Sequence, residues 1–202
     1  MKKKIENNLT ADSSPTIKAK TLYIIPGFKE STNDIGYQKI IKYARKKGFE
    51  VIFFNPKWGK TIKVWLKNFN ELIEKKNRDN VMVLGFSFGA YIAVLSAINH
   101  NFKKLILCSL SPYFKDDITK LPPLAYKMLG KKRIKDFSEN KFPININTSA
   151  VFLVGDKDTQ LVIQRVKKSY KKWIGSKEIK ILKNVRHDIN NDLYLEAIKL
   201  SL

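Results

Sequence analysis

The 202-residue chain is expected to fold as an α/β domain, with about six parallel strands and helices on both faces of the sheet. Three observations predict this. Short, almost continuously apolar runs alternate with longer segments of helical periodicity, the pattern of strands buried on both faces. Glycine and proline punctuate the junctions between them. With 44% hydrophobic and 11% aromatic residues, the chain carries enough apolar surface for one full core at a length that suits one domain.

The elements follow in order. Residues 1–19 are polar, contain Ser13-Ser14-Pro15, and are expected to form a flexible N-terminal arm ahead of a single domain spanning 20–202. Thr21–Ile25 is an apolar run stopped by Pro26-Gly27, a first strand. Ile35–Lys47 repeats apolar residues at helical spacing and ends at Gly48, a C-cap signal. Phe49–Phe54 is a second strand, stopped by Asn55-Pro56. Ile62–Lys75 places Ile62, Trp65, Leu66, Phe69, Leu72 and Ile73 on one helical face. Val81–Leu84 is a third strand, and Phe88–Asn99 a helix whose Gly89, Ala90, Ala93 and Ala97 permit close approach to a sheet. Strands are expected again at Lys104–Cys108, Ala150–Val154 and Glu178–Leu182, and helices at Gln160–Trp173 and Asp192–Leu200.

One segment breaks the alternation. About forty residues separate the fourth and fifth strands, with Pro112, Pro122-Pro123, Gly130 and Pro143 among them and a short amphipathic helix around Leu121–Leu129. So long a connection in a compact domain is commonly a functional loop, and a lid over 111–147 is expected.

The junction after the third strand carries the chemistry. Gly85-Phe86-Ser87-Phe88-Gly89 fits G-x-S-x-G between a buried strand and a small-residue helix. The turn is so tight that side chains two residues either side of the serine would clash. Ser87 would sit in a strained backbone conformation at a helix N-terminus, with free N–H groups and a positive dipole nearby.

A serine nucleophile needs a base, and the chain has two histidines. His100 ends the helix that Ser87 begins, about 20 Å away at 1.5 Å per residue, and is read as a residue of the helix C-terminus. His187 follows the sixth strand, and in a parallel sheet the loops at the strands' C-terminal ends gather at one edge. It is the candidate base. The orienting acid is expected after the fifth strand, in Gly155-Asp156-Lys157-Asp158. Asp158 is preferred, with Asp156 as a brace for the loop. Two alternatives stay open: Asp158 as the N-cap of the next helix, and Asp116 or Asp117 as the acid. Oxyanion donors are expected at the Phe88 N–H and, from the Pro26-Gly27-Phe28 loop, at the Phe28 N–H. An apolar acyl pocket is expected from Phe86, Trp58, Tyr113, Phe114, Leu124 and Met128, although aromatic residues serve equally well as core.

On these residues the sequence resembles the α/β-hydrolase superfamily, over about residues 20–202 and in the chain order Ser87, Asp158, His187. In size it is similar to compact RBBP9-like and minimal bacterial serine hydrolases, with the two leading strands of the full fold missing. The resemblance implies a three-layer domain with strand order 2-1-3-4-5-6 and a lid inserted between the fourth and fifth strands. It also implies a carboxylesterase-like enzyme cleaving a small-molecule acyl ester through an acyl-enzyme. A thioesterase acting on coenzyme A or carrier-protein thioesters is the alternative, and a hydrolase-fold binding protein without catalysis is a third reading. Many relatives have His-Gly where this chain has Pro26-Gly27, a change that keeps the backbone donor.

The remaining composition bears on partners and setting. No cofactor is implied, and two histidines and one cysteine, spread apart, suggest no metal site. The net charge is +21, but only five of the 39 basic residues are arginine and the lysines are scattered, so nucleic acid is not an expected partner. An acidic carrier protein is a possible one. The basic N-terminus lacks the apolar stretch of a secretory signal, no run is long enough to span a membrane, and Cys108 is alone, so a cytoplasmic setting is expected. The sequence leaves the oligomeric state undetermined.

Overall fold

The computed structural model describes residues 20–74 and 80–202, so the expected arm over 1–19 and Lys75 at the end of the second expected helix lie outside the described residues. The elements are β1 (Lys20–Ile25), α1 (Ile35–Lys46), β2 (Phe49–Phe53), α2 (Ile62–Glu74), β3 (Val81–Phe86), α3 (Phe88–Ser96) and β4 (Lys104–Cys108). Then come α4 (Lys115–Ile118), α5 (Pro123–Ser138), β5 (Ala150–Gly155), α6 (Gln160–Lys172), β6 (Lys177–Leu182) and α7 (Asp192–Ser201). The six strands form one sheet in the order β2-β1-β3-β4-β5-β6, with every neighbouring pair parallel.

Strand alternation divides the core into two layers. In β1, Leu22 and Ile24 face the layer containing Tyr37, Ile40 and Ile41 of α1 and Tyr194 and Ile198 of α7. Tyr23 and Ile25 face the other, with Trp65 and Phe69 of α2, the apolar residues of α3 and Val166 of α6. This period of two on a doubly covered sheet explains why the strands read as unbroken apolar runs. Strand order reverses between β1 and β3, so a crevice opens there beyond the strands' C-terminal ends. The loops bearing Phe28 and Ser87 lie at that reversal.

Several element ends differ from expectation by one residue, and two strand or helix ends differ by more. β3 runs to Phe86, beyond the expected Leu84. α3 stops at Ser96, short of Asn99, because Ile98 and Asn99 donate to carbonyls only three residues back and tighten the end of the helix. The long β4–β5 connection carries α4 and α5, and α5 breaks at Gly130, whose φ of 76° and ψ of 155° leave the helical region. Polar contacts to α2, α6 and the Trp58 loop fasten this insertion to the domain. Ile62 N–H at the start of α2 donates to the Asp136 carboxylate at 2.5 Å, and buried Arg165 of α6 pairs with Asp117 and with Asp116. Among the described residues no helix is long and apolar enough to cross a membrane.

Candidate active site

Ser87 sits between β3 and α3 with φ 55° and ψ −111°, a left-handed conformation that costs a non-glycine residue free energy. The flanking glycines make it possible. A Cβ on Gly85 would lie 2.4 Å from the Gly89 carbonyl carbon, and one on Gly89 would lie 2.0 Å from the Ile25 carbonyl oxygen. The turn thus closes on itself and packs directly against the end of β1. The Ser87 N–H donates to Cys108 O at 2.8 Å, which anchors the turn to β4.

His187 Nδ1 lies 2.9 Å from Asp158 Oδ2. The two loops meet because Gly155 lets them: a Cβ there would lie 2.1 Å from the Val185 carbonyl oxygen. Lys157 N–H donates to Val185 O and Asn184 N–H to Asp156 Oδ1, so Asp156 braces the loop that carries the histidine. Asp158 is buried, with Oδ1 accepting from Thr159 N–H and Oδ2 also accepting from Ser109 Oγ at 2.6 Å. Ser109 in turn shares a hydrogen bond with Tyr194 OH. Burial by itself would raise the Asp158 carboxyl. The hydrogen bond and charge of His187 outweigh it, helped by Ser109 and Thr159, and hold the group below its ordinary value. The N-cap of α6 is Thr159, whose side chain accepts from Val162 N–H, so Asp158 is free for the imidazole. Asp116 and Asp117 are engaged by Arg165, with Lys168 also on Asp116, and hydrogen-bond there instead of to His187.

Ser87 Oγ and His187 line one cavity of about 370 Å³, together with Asp158. Within it Ser87 Oγ is hydrogen-bonded to Ser111 Oγ at 3.2 Å. His100 is buried beyond the end of α3, against Phe102.

The loop after β1 packs on the serine turn, with the Phe28 and Phe88 rings 5.1 Å apart. Gly27 N–H is already committed, to Glu30 Oε2 at 2.8 Å and Tyr37 OH at 3.1 Å. Among the described residues no hydrogen bond joins Phe28 N–H or Phe88 N–H to a protein acceptor, which leaves both as available donors. The left-handed residue of this loop is Lys29, with φ 62°, and not Gly27. Glu30, a carboxylate with no motif to mark it, accepts from Gly27 N–H and Tyr37 OH. Its burial raises its pKa, against the lowering effect of Tyr37, Gly27 and the His187 charge.

The cavity wall differs from the expected pocket. Tyr113 lines it, stacked on Phe137 at 4.9 Å. Phe86 lies in the core layer beneath the imidazole, 4.8 Å from it ring to ring, and therefore supports that ring instead of walling the pocket. Phe114 is fully buried against Tyr91 and Phe142. Trp58 packs behind Phe28 and Phe88. Leu124 and Met128 are 67% and 65% exposed, because α5 turns Ala125 towards the cavity and Leu129 into the core. The remaining wall comes from Ser111, Pro112, Leu121, Pro122, Leu161 and Val162, small or aliphatic residues with no motif to mark them. Among the described residues no three His, Cys, Asp or Glu side chains converge as metal ligands.

No family model matches the sequence, and a search of curated proteins finds no match. Solved structures do resemble the fold. Alpha/beta hydrolase domain-containing protein 10 from mouse superposes with a TM-score of 0.77 at 15% identity, over 91% of this chain and 88% of that one. Est1E from Butyrivibrio proteoclasticus gives 0.70 at 16% identity, over 91% and 87%. The RedJ thioesterase of the prodiginine pathway in Streptomyces coelicolor gives 0.66 at 13% identity, over 94% and 88%.

Proposed function

The chain has the α/β-hydrolase fold, and we propose that it works as a serine hydrolase that cleaves a small-molecule carboxylic ester by way of an acyl-enzyme. The observation that carries this reading is the His187–Asp158 contact of 2.9 Å, in the wall of the cavity that also holds Ser87 on its strained turn. In the reaction Ser87 Oγ turns from Ser111 to the imidazole. It gives its proton to His187 Nε2 and bonds to the ester carbonyl carbon. The tetrahedral oxyanion takes the Phe28 and Phe88 N–H groups. The C–O bond to the leaving group breaks, and His187 returns the proton to that oxygen. Water then repeats the sequence on the acyl-enzyme and frees the acid and Ser87. Apo sites often lack the nucleophile–base hydrogen bond and form it once substrate is bound, so the Ser87–Ser111 contact fits a resting state.

Thioesters undergo the same chemistry, with a thiolate leaving, and the RedJ likeness keeps that second reading in place. The fold does not choose between them. A panel of 4-nitrophenyl esters and coenzyme A thioesters of graded chain length would do so.

Asp158→Asn is expected to lower kcat by about 10⁴-fold, since the imidazole would lose the acceptor that sets its tautomer. Asp117→Asn should leave kcat per folded molecule within about threefold, because its partner is Arg165. Equal losses in the two variants would overturn the assignment of the acid. Sign also matters for stability. With its native pKa below 3.8, Asp158 contributes stability above that value and loses it as pH falls through the lowered one. The acid limb of a stability–pH curve should therefore flatten in Asp158→Asn.

A further inference from the structure

A second concavity, of about 280 Å³, opens where the start of α2 faces the break in α5. Gly59, Lys60, Gly130, Lys131, Lys132 and Arg133 line it. Three exposed lysines and Arg133 thus border one recess, and among the described residues none of the four is paired with a carboxylate. These lysines are exposed like most others in the chain, and what sets them apart is that segments seventy residues apart bring them to one recess. The acid that follows in α5, Asp136, is turned to Ile62 N–H, and Glu139 is paired with Lys63.

Gly59 adds an independent observation. A Cβ there would meet nothing within 4 Å, and its backbone is not left-handed. Neither packing nor conformation requires a glycine at that position, whereas close approach of a ligand to the backbone would. Gly130 also opens onto empty space, although its φ of 76° is itself a reason for glycine there.

The recess is joined to the candidate active site in two ways. Leu129, in its lining, follows Ala125 of the Ser87 cavity by one helical turn, about 6 Å along α5. The Arg133 guanidinium stacks on the Phe28 ring at 5.0 Å and donates to Trp58 O, so one side chain touches both the recess and the loop offering an oxyanion donor.

We propose that this recess binds the phosphate groups of the substrate's leaving group, so that the preferred substrate is an acyl ester or thioester whose leaving group ends in a phosphate or diphosphate. The substrate part rests on the hydrolase reading above; the anion site does not. Lys60, Lys131 and Lys132 supply charge, the two glycines supply space, and Arg133 fixes the recess relative to Phe28.

The test uses inorganic pyrophosphate as a binding probe, titrated calorimetrically into the full chain. Two variants accompany the wild type: Lys60→Gln/Lys131→Gln/Lys132→Gln, and Gly59→Leu, which fills the recess from a position with no neighbour. Both should weaken pyrophosphate binding about tenfold or more while unfolding as the wild type does. KM should rise about tenfold or more for butyryl-coenzyme A and stay within about twofold for 4-nitrophenyl butyrate, which carries no phosphate. Absence of pyrophosphate binding, or equal binding by the variants, overturns the site. Binding lost in the variants with both KM values unmoved, or moved alike, makes the recess a site for free anions and overturns the substrate assignment. Should the wild type hydrolyse neither compound, the hydrolase reading fails, and the pyrophosphate titration alone decides the recess.

Discussion

Ser87→Ala is expected to abolish labelling by a fluorophosphonate and to lower ester hydrolysis by at least about 10⁴-fold, with no loss of folded protein. The size follows from the proposed chemistry. The hydroxyl oxygen forms the acyl bond, and no neighbouring atom substitutes for it. Ser111 Oγ is close, but among the described residues its side chain bonds only to Ser87 and it lies outside the strained turn. Stability should hold or improve, since alanine leaves the glycine contacts of the turn untouched. His187→Ala should lose labelling as well, because an unactivated serine attacks slowly. If Ser87→Ala labels as strongly as the wild type, the nucleophile lies elsewhere and the proposed reaction fails.

Gly155→Ala should have the next largest effect, although Gly155 touches no substrate in the proposed mechanism. Its new methyl would lie 2.1 Å from the Val185 oxygen and 2.6 Å from the Val185 carbonyl carbon, both backbone atoms with little freedom to yield. The loops after β5 and β6 must then move apart. Overpacking of this kind costs about 2–4 kcal/mol, seen as a lower urea midpoint at an unchanged slope. Separation of the loops also lengthens the His187–Asp158 contact, and displacement of a catalytic group by about 1 Å costs about 10²-fold in kcat. Both losses are expected together. A variant of full stability and full activity would show that the two loops are not held by contact at Gly155.

The contrast between these two positions reflects how differently they can be read. The G-x-S-x-G turn is local. The demand on Gly85 arises four residues away, at Gly89, so the spacing announces it, although Gly89 itself answers to the end of β1. Gly155 owes its importance to Val185, thirty residues later, and no local pattern records that. Glu30 is similar in part: its hydrogen-bond partners Gly27 and Tyr37 are close in sequence, but only the fold brings the His187 charge near it. The wall of the cavity at Ser87 was the least legible part. Aromatic residues near the motif suggested walls, yet Phe86 and Phe114 were drawn into the core by the area they bury, and aliphatic residues of the β4–β5 insertion and α6 took their place.

The sequence by itself determined the alternation of strands and helices, the doubly covered parallel sheet and the serine turn, because each is written in neighbouring residues through periodicity and steric exclusion. It also narrowed the candidate base to His187, since topology places all the βα loops at one edge. Only the tertiary structure decided that Asp158, and not Asp116 or Asp117, meets that imidazole, and that Thr159 takes the N-cap in its place. Only the tertiary structure gathered Lys60 with Lys131 and Lys132, seventy residues apart, into one recess. A hydrogen bond of 2.9 Å or a recess lined from two distant segments depends on how those segments pack, and packing is settled by the whole core at once.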